Sequence, residues 1–519
     1  MPRILAGALC LIPALAFGQA TGGPLVGTPH VVNNNPGDQT DPRVSGSWVV
    51  YTNQPSRNVS EIRYHSLATG EDRAIPTGGA FDSFADIQGS QVVFTRTLAT
   101  NRVYRFDLNT RGAAEEIAPR PNVDRRSVSV GADLIAWQEQ STVAGAPPAE
   151  ISVYEQGTDT LTRLTTDTSV DRTPSVSEDG QVVTWSKCAT SVDGCDIWAA
   201  RRFPEGFRVR QLSGSEGEET QPETNGQWVV YVSRWFANGE WESDISWAPV
   251  DEGSGPSYRL ALPGTDTNPS ISGPLIAFEH WEANSPTPNY DIRLFDLRTR
   301  TTYRLTDTPA SESLSDIHWS PDGHVRVVWA VRQSGEFNLQ AYDFRLPTEC
   351  RQAPGGPSAE AVCASPGTRQ LQGLLQVKRG PEGSEAASTE VSGVGTGLVC
   401  VDNGEGGSAA TSGWVGLGEG VVMDPHDFAS GAPLIARRVP LQGSRPLSAR
   451  VEGPEGSAFR VRLYGPLMCD VASQDATFQP TEVHPGEDVP VEVLAPSLLD
   501  GEGADYLVLS GDEGVPLEG

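Results

Sequence analysis

One short pattern recurs seven times in the first two-thirds of this 519-residue chain. Each copy is a tight turn, usually with glycine, followed by an apolar run that ends on an aromatic residue. Successive closing aromatics are 43, 43, 48, 46, 47 and 51 residues apart. They are Tyr51, Phe94, Trp137, Trp185, Tyr231, Phe278 and Trp329. A period of about 40–50 residues filled with short strands is typical of β-propeller blades, and we expect these aromatics to form the core between blades.

Each period divides into four strand-like runs. In the sixth unit they cover residues 268–272, 275–278, 291–296 and 302–306. Their β-branched and aromatic residues alternate with polar ones, and no run has the 3.6-residue period of a helix. The sequence therefore predicts an all-β fold with a seven-bladed β-propeller over residues 24–347. A six-bladed ring with one divergent unit is the alternative.

The two ends of the repeat region complement each other. The seventh unit supplies only three strands, and one extra strand around residues 28–32 precedes the first unit. An open ring would leave a strand edge free to pair with other chains. We therefore expect the N-terminal strand to complete the last blade.

The charge of the chain excludes one class of partner. It has 67 Asp and Glu against 38 Lys and Arg, a net charge of −29, and no basic stripe. Binding to the nucleic-acid backbone is therefore not expected. Such an acidic surface mainly keeps a protein soluble.

The N-terminus has the pattern of an export signal. One early cation is followed by about 14 apolar residues and then by small residues, which predicts a secretory signal peptide over residues 1–18. The apolar run is too short to span a membrane comfortably, and no later run reaches that length. We therefore expect a secreted or periplasmic protein without a membrane span.

Six cysteines remain after the signal, and an even number in an exported chain favours disulfides. Spacing favours the pairs Cys188–Cys195, Cys350–Cys363 and Cys400–Cys469 among the 15 possible connectivities. A zinc site is the alternative, but no Cys-x-x-Cys or nearby histidine supports it.

Several motifs resemble the repeats of TolB-type propellers. The resemblance covers about 300 residues and rests on strand ends and turns: Trp319-Ser-Pro-Asp-Gly323, Ser177-Glu-Asp-Gly180, Asp196-Ile-Trp198, Asp291-Ile-Arg293, Arg163-Leu-Thr165 and Arg304-Leu-Thr306. It implies a periplasmic or exported interaction scaffold. TolB itself has an α/β domain ahead of six blades, whereas this ring begins directly after the predicted signal and is followed by a long C-terminal part.

The composition changes after the last repeat. Residues 348–368 are rich in Pro, Gly, Ala and Ser and are predicted to be a linker. Short alternating runs punctuated by Gly and Pro follow, which predicts a small β-sandwich-like domain over residues 369–519. It looks similar to the β-sandwich modules appended to secreted bacterial enzymes, many of which bind a surface or a glycan.

Catalytic constellations are weak. The C-terminal third has no Gly-x-Ser-x-Gly elbow of the kind that serine hydrolases use. A metal-dependent lyase would need two or three converging histidines, and the candidates in the ring are His30, His65, His280, His318 and His324. Their positions fit ordinary surface or hairpin histidines better. We expect no catalytic residues, no metal and no cofactor.

A binding face is the better candidate. The connections between the second and third strands of all blades open on one face of a propeller, and they are longest in units 3 to 6. In units 5 and 6 they carry Trp235, Phe236, Trp241, His280, Trp281 and Tyr290. Exposed aromatics on a rigid frame are favoured at protein interfaces and for stacking on sugar rings.

Two functions of different class follow. The first is a monomeric, exported, non-catalytic scaffold that binds another protein through this face. The alternative is an extracellular carbohydrate-binding or polysaccharide-lyase-type propeller protein.

Overall fold

The computed structural model describes residues 20–190, 194–214, 217–237, 239–250, 257–282, 288–349, 358–367, 369–381, 383, 385–418, 420–469, 477–479, 492–494, 509–510 and 516–517. The predicted signal peptide and Cys350 lie outside this part of the chain. The described part of the chain is almost entirely β and contains two short helices, at Ala359–Ala364 and Pro425–Phe428.

Seven sheets form the ring, as predicted, and we number them blades 1 to 7 in chain order. From the centre outward, the strands of the first four blades are Asp38–Ser45, Trp48–Ser56, Val59–Ser66 and Asp72–Ala74; Phe81–Gln88, Gln91–Thr97, Asn101–Asp107 and Glu115–Glu116; Val123–Val130, Leu134–Ser141, Glu150–Glu155 and Thr160–Arg163; and Val170–Val176, Val182–Cys188, Cys195–Phe203 and Gly206–Gln211. Those of the last three are Glu218–Thr224, Trp228–Ala237, Glu240–Pro249 and Tyr258–Leu260; Thr265–Ser272, Leu275–Trp281, Tyr290–Asp296 and Thr301–Arg304; and Ser311–Trp319, His324–Gln333, Glu336–Arg345 and Gly27–Asn33.

The N-terminal strand closes the ring. Gly27–Asn33 pairs antiparallel with Glu336–Arg345 and becomes the outer strand of blade 7. The innermost strands of blades 7 and 1 then contact each other like those of every other neighbouring pair. This confirms the closure predicted from the incomplete seventh unit. A further short strand, Ala20–Thr21, pairs in parallel with the outer strand of blade 6.

The closing aromatics lie between the blades, as predicted. Each is at most 6 % exposed, in clusters that combine residues of two neighbouring blades. Because one sheet cannot bury both faces alone, this repeated aromatic layer is what makes seven sheets one folding unit.

Every innermost strand carries a β-bulge at the same place. The register shifts once in each, between residues such as Thr40 and Arg43 in blade 1. One residue per bulge has positive φ, and none of the seven is glycine: Asp41, Phe84, Ser127, Thr173, Gln221, Asn268 and Leu314. A bulge bends its strand and re-aims the side chains that follow. Here it directs one residue per blade toward the central axis.

The C-terminal region is a second β unit. Its strands are Leu371–Lys378, Ala386–Asn403, Ser408–Ala409, Ser412–Leu417, Gly420–Met423, Leu434–Glu452 and Ser457–Tyr464. The two long strands pair with each other, and their opposite halves pair with different neighbours. These strands belong to one sheet, which packs around an apolar core, so the C-terminal region is β-rich, as predicted. Short strands at Thr477–Gln479, Glu492–Leu494, Leu509–Ser510 and Pro516–Leu517 follow.

The disulfides correct two predicted pairs. Cys188–Cys195 forms as predicted, but Cys363 bonds to Cys400. The pairs Cys350–Cys363 and Cys400–Cys469 are therefore wrong. The pairing predicted from the cysteine spacing is wrong because the predicted linker is partly folded. Helix Ala359–Ala364 packs on the long C-terminal strands and buries Cys363 against Cys400.

Cys469 is also disulfide-bonded. Its strand, Met468–Cys469, pairs with Thr348–Glu349, which directly follows the ring. The end of the C-terminal unit therefore returns to the end of the propeller.

Side-chain contacts join the two units. The Arg300 guanidinium of blade 6 donates to Ser392 Oγ at 2.6 Å, and Val394 packs against the core of blades 5 and 6. Among the described residues, no helix is long and apolar enough to cross a membrane.

Candidate functional site

The predicted long connection of blade 5 is a protruding β-ribbon and not a loop. The strands Trp228–Ala237 and Glu240–Pro249 pair along their whole length. The innermost strand reaches only Arg234, through Glu218, and the outer strand only Ile245. Residues 234–237 and 240–243, here called the blade-5 ribbon, therefore extend beyond the sheet. The ribbon lies on the face that carries the connections between second and third strands, here called the loop face.

Strand alternation gives the ribbon two different sides. Phe236 lies directly opposite Trp241, and Arg234 is two residues before Phe236 on the same side. Trp235 lies opposite Glu242 on the other side. The first side is therefore aromatic with one cation, and the second carries acid.

The aromatic side is exposed. Phe236 is 61 % exposed and Trp241 is 50 % exposed. Their rings meet edge to face, with centroids 5.5 Å apart and planes at 69°. Large apolar side chains that remain in solvent on a rigid strand pair are unusual, and they mark this side as a binding surface.

Arg234 completes the aromatic side. Its guanidinium carbon lies 4.3 Å from the centroid of the Trp241 ring, within cation–π range. On the opposite side Arg259 stacks on Trp235 at 4.6 Å and forms an ion pair with Asp244 at 3.3 Å. The two arginines therefore differ, because only Arg259 is neutralised by a neighbouring carboxylate.

The other three predicted binding residues are in blade 6. Trp281 and Tyr290 are half-buried partners across the second and third strands. Among the described residues, neither makes a ring contact with the blade-5 ribbon. His280 is only 2 % exposed, and its Nδ1 lies 2.6 Å from Asp266 Oδ1. His280 therefore lies below the surface, and sequence reasoning was wrong to place it on the exposed face.

A buried polar layer lies directly beneath the loop face, and the sequence analysis missed it. At the same position of every innermost strand, two residues before the bulge residue, a polar side chain is at most 1 % exposed. Each faces a partner on the second strand: Gln39–Asn53, Asp82–Arg96, Arg125–Glu139, Asp171–Lys187, Glu219–Ser233, Asp266–His280 and Glu312–Val331. In five blades the first member stands twelve residues before the closing aromatic, a spacing that could have revealed it.

Two of these pairs are ion pairs in which the acid and the base occupy opposite strands. Asp82 accepts two bonds from Arg96, at 2.7 and 2.8 Å. In the next blade the acid and base exchange strands, and Arg125 Nε donates to Glu139 Oε2 at 2.8 Å. Buried charges need such compensation, and in these two blades either order of acid and base supplies it.

Other members of the layer are carboxylic acids bridged by hydroxyl groups. Thr165 Oγ1 accepts from the Ile151 amide at 2.9 Å and donates to Glu150 Oε2 at 2.7 Å. Ser213 bridges the Ile197 amide and Glu219 Oε2 in the same way at the next blade junction.

Burial shifts the acidity of this layer. Burial raises the pKa of Glu150 to about 7, although the hydrogen bond from Thr165 stabilises the charged carboxylate and acts in the opposite direction. Burial likewise raises the pKa of Asp244 and that of Glu312 to about 7, with nearby acids adding to both shifts. The blade junctions beneath the loop face therefore hold carboxyl groups that keep their protons near neutral pH.

The bulges surround a central channel with a cavity of about 550 Å³. All seven bulge residues line this cavity, and so do four of the residues two positions further on: Arg43, Asp86, Ser129 and Glu223. Arg43 Nη1 lies 2.8 Å from Glu223 Oε1 and 3.5 Å from Asp316 Oδ1. Arg43 therefore ties blade 1 to blades 5 and 7 across the axis. Burial raises the pKa of Asp86 and of Glu223.

The histidines of the ring lie apart. His65 is in blade 1 beside Asp72, His280 is in blade 6, and His324 pairs with Asp343 in blade 7. His318 is in blade 7 and His30 in the closing strand. Among the described residues, no group of three His, Cys, Asp or Glu side chains is arranged to hold a metal ion.

Comparisons with known proteins concern the fold. No protein-family profile and no curated protein match this chain. Among solved structures, a putative TolB from Agrobacterium tumefaciens matches with 17 % identity, 45 % of this chain, 83 % of that chain and a TM-score of 0.34.

The propeller domain of the trilobed protease from Pyrococcus furiosus matches with 11 % identity, 60 % of this chain, 95 % of that one and a TM-score of 0.44. An oligogalacturonate lyase from Vibrio parahaemolyticus matches with 12 % identity, 60 % and 91 % coverage and a TM-score of 0.44.

Proposed function

We propose that the protein is an exported, non-catalytic scaffold that binds another protein through its loop face. The disulfides Cys188–Cys195 and Cys363–Cys400 support export, because such bonds persist in oxidising compartments. We further propose that residues 1–18 are removed as a signal peptide and that the mature chain is a monomer.

The blade-5 ribbon is the observation that carries the proposal. Phe236 and Trp241 are 61 % and 50 % exposed. They stand on paired strands, so binding a partner does not require the backbone around them to become ordered first. Aromatic anchors next to an arginine are the residues that dominate binding energy at protein interfaces.

One observation favours carbohydrate binding as the second candidate. The C-terminal sheet has a groove of about 460 Å³ with a floor of small residues, among them Ser388, Gly416 and Ser448. Trp414 and Arg450 stand beside it. An aromatic ring flanking a shallow floor of small residues suits stacking on a sugar. On this alternative the C-terminal unit, and not the ring, supplies the affinity.

One experiment distinguishes the two candidate functions. Mature protein is used to capture partners from the envelope and secreted fractions of the producing cell, beside a Phe236→Ser/Trp241→Ser variant. Leu98→Ser is the matched control, since Leu98 is 55 % exposed on the corresponding turn of blade 2.

We expect the wild type and the Leu98→Ser variant to capture the same partner protein. The Phe236→Ser/Trp241→Ser variant should not capture it. Equal capture by all three chains would refute the role of the ribbon. Binding to polysaccharide that is lost with Trp414→Ala would establish the alternative.

A further inference from the structure

The aromatic side of the blade-5 ribbon carries a cation, in contrast to the acidic charge of the whole chain. The chain carries a net charge of −29, and most of its arginines near the ring are paired with acids. Arg234 is exposed, and among the described residues no carboxylate lies within ion-pair distance of it. A cation without an ion pair beside two exposed aromatics presents a local site for a negative group.

The geometry of Arg234 suits a carboxylate. Its guanidinium stacks on Trp241, so the ring covers one face of the group and leaves the N–H donors at its edge. Those donors match the two oxygens of a carboxylate, and the aromatic support fixes the group before binding. Glu240 and Glu242 lie on the opposite side of the ribbon. Glu218 lies directly across from Arg234 on the same side, but the two side chains form no ion pair.

The neighbouring aromatics suit an apolar side chain and not a sugar ring. Phe236 and Trp241 meet at 69° and form a notch. Stacking on a sugar needs one flat, open ring face, whereas here the edge of one ring meets the face of the other and Arg234 covers part of Trp241. A notch of this kind accepts a branched or aromatic side chain.

We propose that the blade-5 ribbon binds an acidic segment of the protein partner, with a carboxylate on Arg234 and an adjacent apolar side chain between Phe236 and Trp241. This rests on the proposed function, since it names the chemistry of the partner at the same surface. It excludes basic segments, because a cation would face the uncompensated Arg234.

Synthetic peptides test the chemistry without knowledge of the partner. The probe alternates glutamate with leucine over six residues, and a second peptide replaces each glutamate with lysine. A third replaces each leucine with serine. Binding is followed by titration calorimetry with the full mature chain.

The glutamate–leucine peptide should bind about tenfold or more tightly than either of the others. Arg234→Gln should weaken it about tenfold, and Arg234→Lys should recover only part, since lysine keeps the charge but not the planar pair of donors. Arg259→Gln is the matched control on the opposite side and should bind like the wild type. Both positions, Arg234 and Arg259, are exposed, and melting temperatures confirm that each of the three variants is folded.

Equal binding of the lysine peptide, or unchanged binding by Arg234→Gln, would overturn the acidic assignment. If no peptide binds but the partner capture still depends on Phe236 and Trp241, the binding role of the ribbon stands and the acidic segment is wrong. If capture does not depend on them either, the proposed function itself fails.

Discussion

Individual residues of the buried layer are determined by their partners across the strand. Asp82 with Arg96 and Arg125 with Glu139 use the same two positions in opposite order. A repeat profile that scores one residue type per position therefore loses this layer, although it is present in all seven blades. Charge compensation at low dielectric explains why the pair is kept while its members change.

The acid groups at the blade junctions predict how stability depends on pH. The pKa of Glu150 is about 7 in the folded chain, above its ordinary value of 4.5. Between these values the folded chain holds a proton that the unfolded chain has released. The resulting stabilisation is complete below about pH 4.5 and is lost as the pH rises to about 7.

Glu150→Gln tests this directly, because the amide keeps the shape and cannot ionise. The free energy of unfolding of the wild type should fall between pH 5 and pH 7 by about 1–2 kcal/mol more than that of the variant, measured by urea unfolding. At pH 8 the variant should be the more stable chain. Glu115→Gln is the control, since that side chain is 67 % exposed. Parallel pH profiles for wild type and Glu150→Gln would contradict the assignment.

At the scale of the strands, the bulges show how a repeated element accepts local strain. Thr173 has φ of 50°, although a β-branched residue disfavours that conformation. The bulge is nevertheless built into every innermost strand, because it aims the following residue into the channel.

Exchanging Thr173 measures this strain. Thr173→Gly should be more stable than Thr173→Val by about 1–2 kcal/mol in urea unfolding, since glycine adopts positive φ without a steric cost. At Thr220, which precedes the bulge residue of blade 5, the same two substitutions should rank in the reverse order, because valine favours extended strands. Valine variants that are more stable than glycine variants at both sites would mean that the bulge is unstrained.

The elements also show what the sequence could and could not predict. The apolar runs that end at Tyr51 or Trp185 recur with a fixed period, so the blades and their core followed from spacing alone. The blade-5 ribbon was predicted as a loop because its polar and aromatic residues do not reveal that two strands continue past the sheet. Cys363 was paired wrongly because its partner depends on a helix docking onto a distant strand, which local spacing does not encode.

At the scale of the whole molecule, one strand holds the ring closed. Val32 in that strand is 5 % exposed and packs in the core that blades 7 and 1 share, whereas its neighbour Val31 is 60 % exposed. Removal of residues 20–33 would leave the edge of Glu336–Arg345 without a partner and should lower the melting temperature.

A synthetic peptide of residues 27–33 should restore part of that loss when added to the truncated chain, in proportion to its concentration. The peptide with Val31→Asp should restore stability equally well, and the peptide with Val32→Asp should not. A truncated chain that melts like the full one would show that closure contributes nothing.

The same closure fixes an order of events during synthesis. Gly27 is made before every blade, yet its partner Phe344 comes at the end of the last one. The strand that leaves the ribosome first must therefore stay unpaired until some three hundred later residues have emerged, and its pairing joins the most distant parts of the ring. A chaperone that binds this chain must therefore protect the N-terminal strand for longer than any strand of the blades.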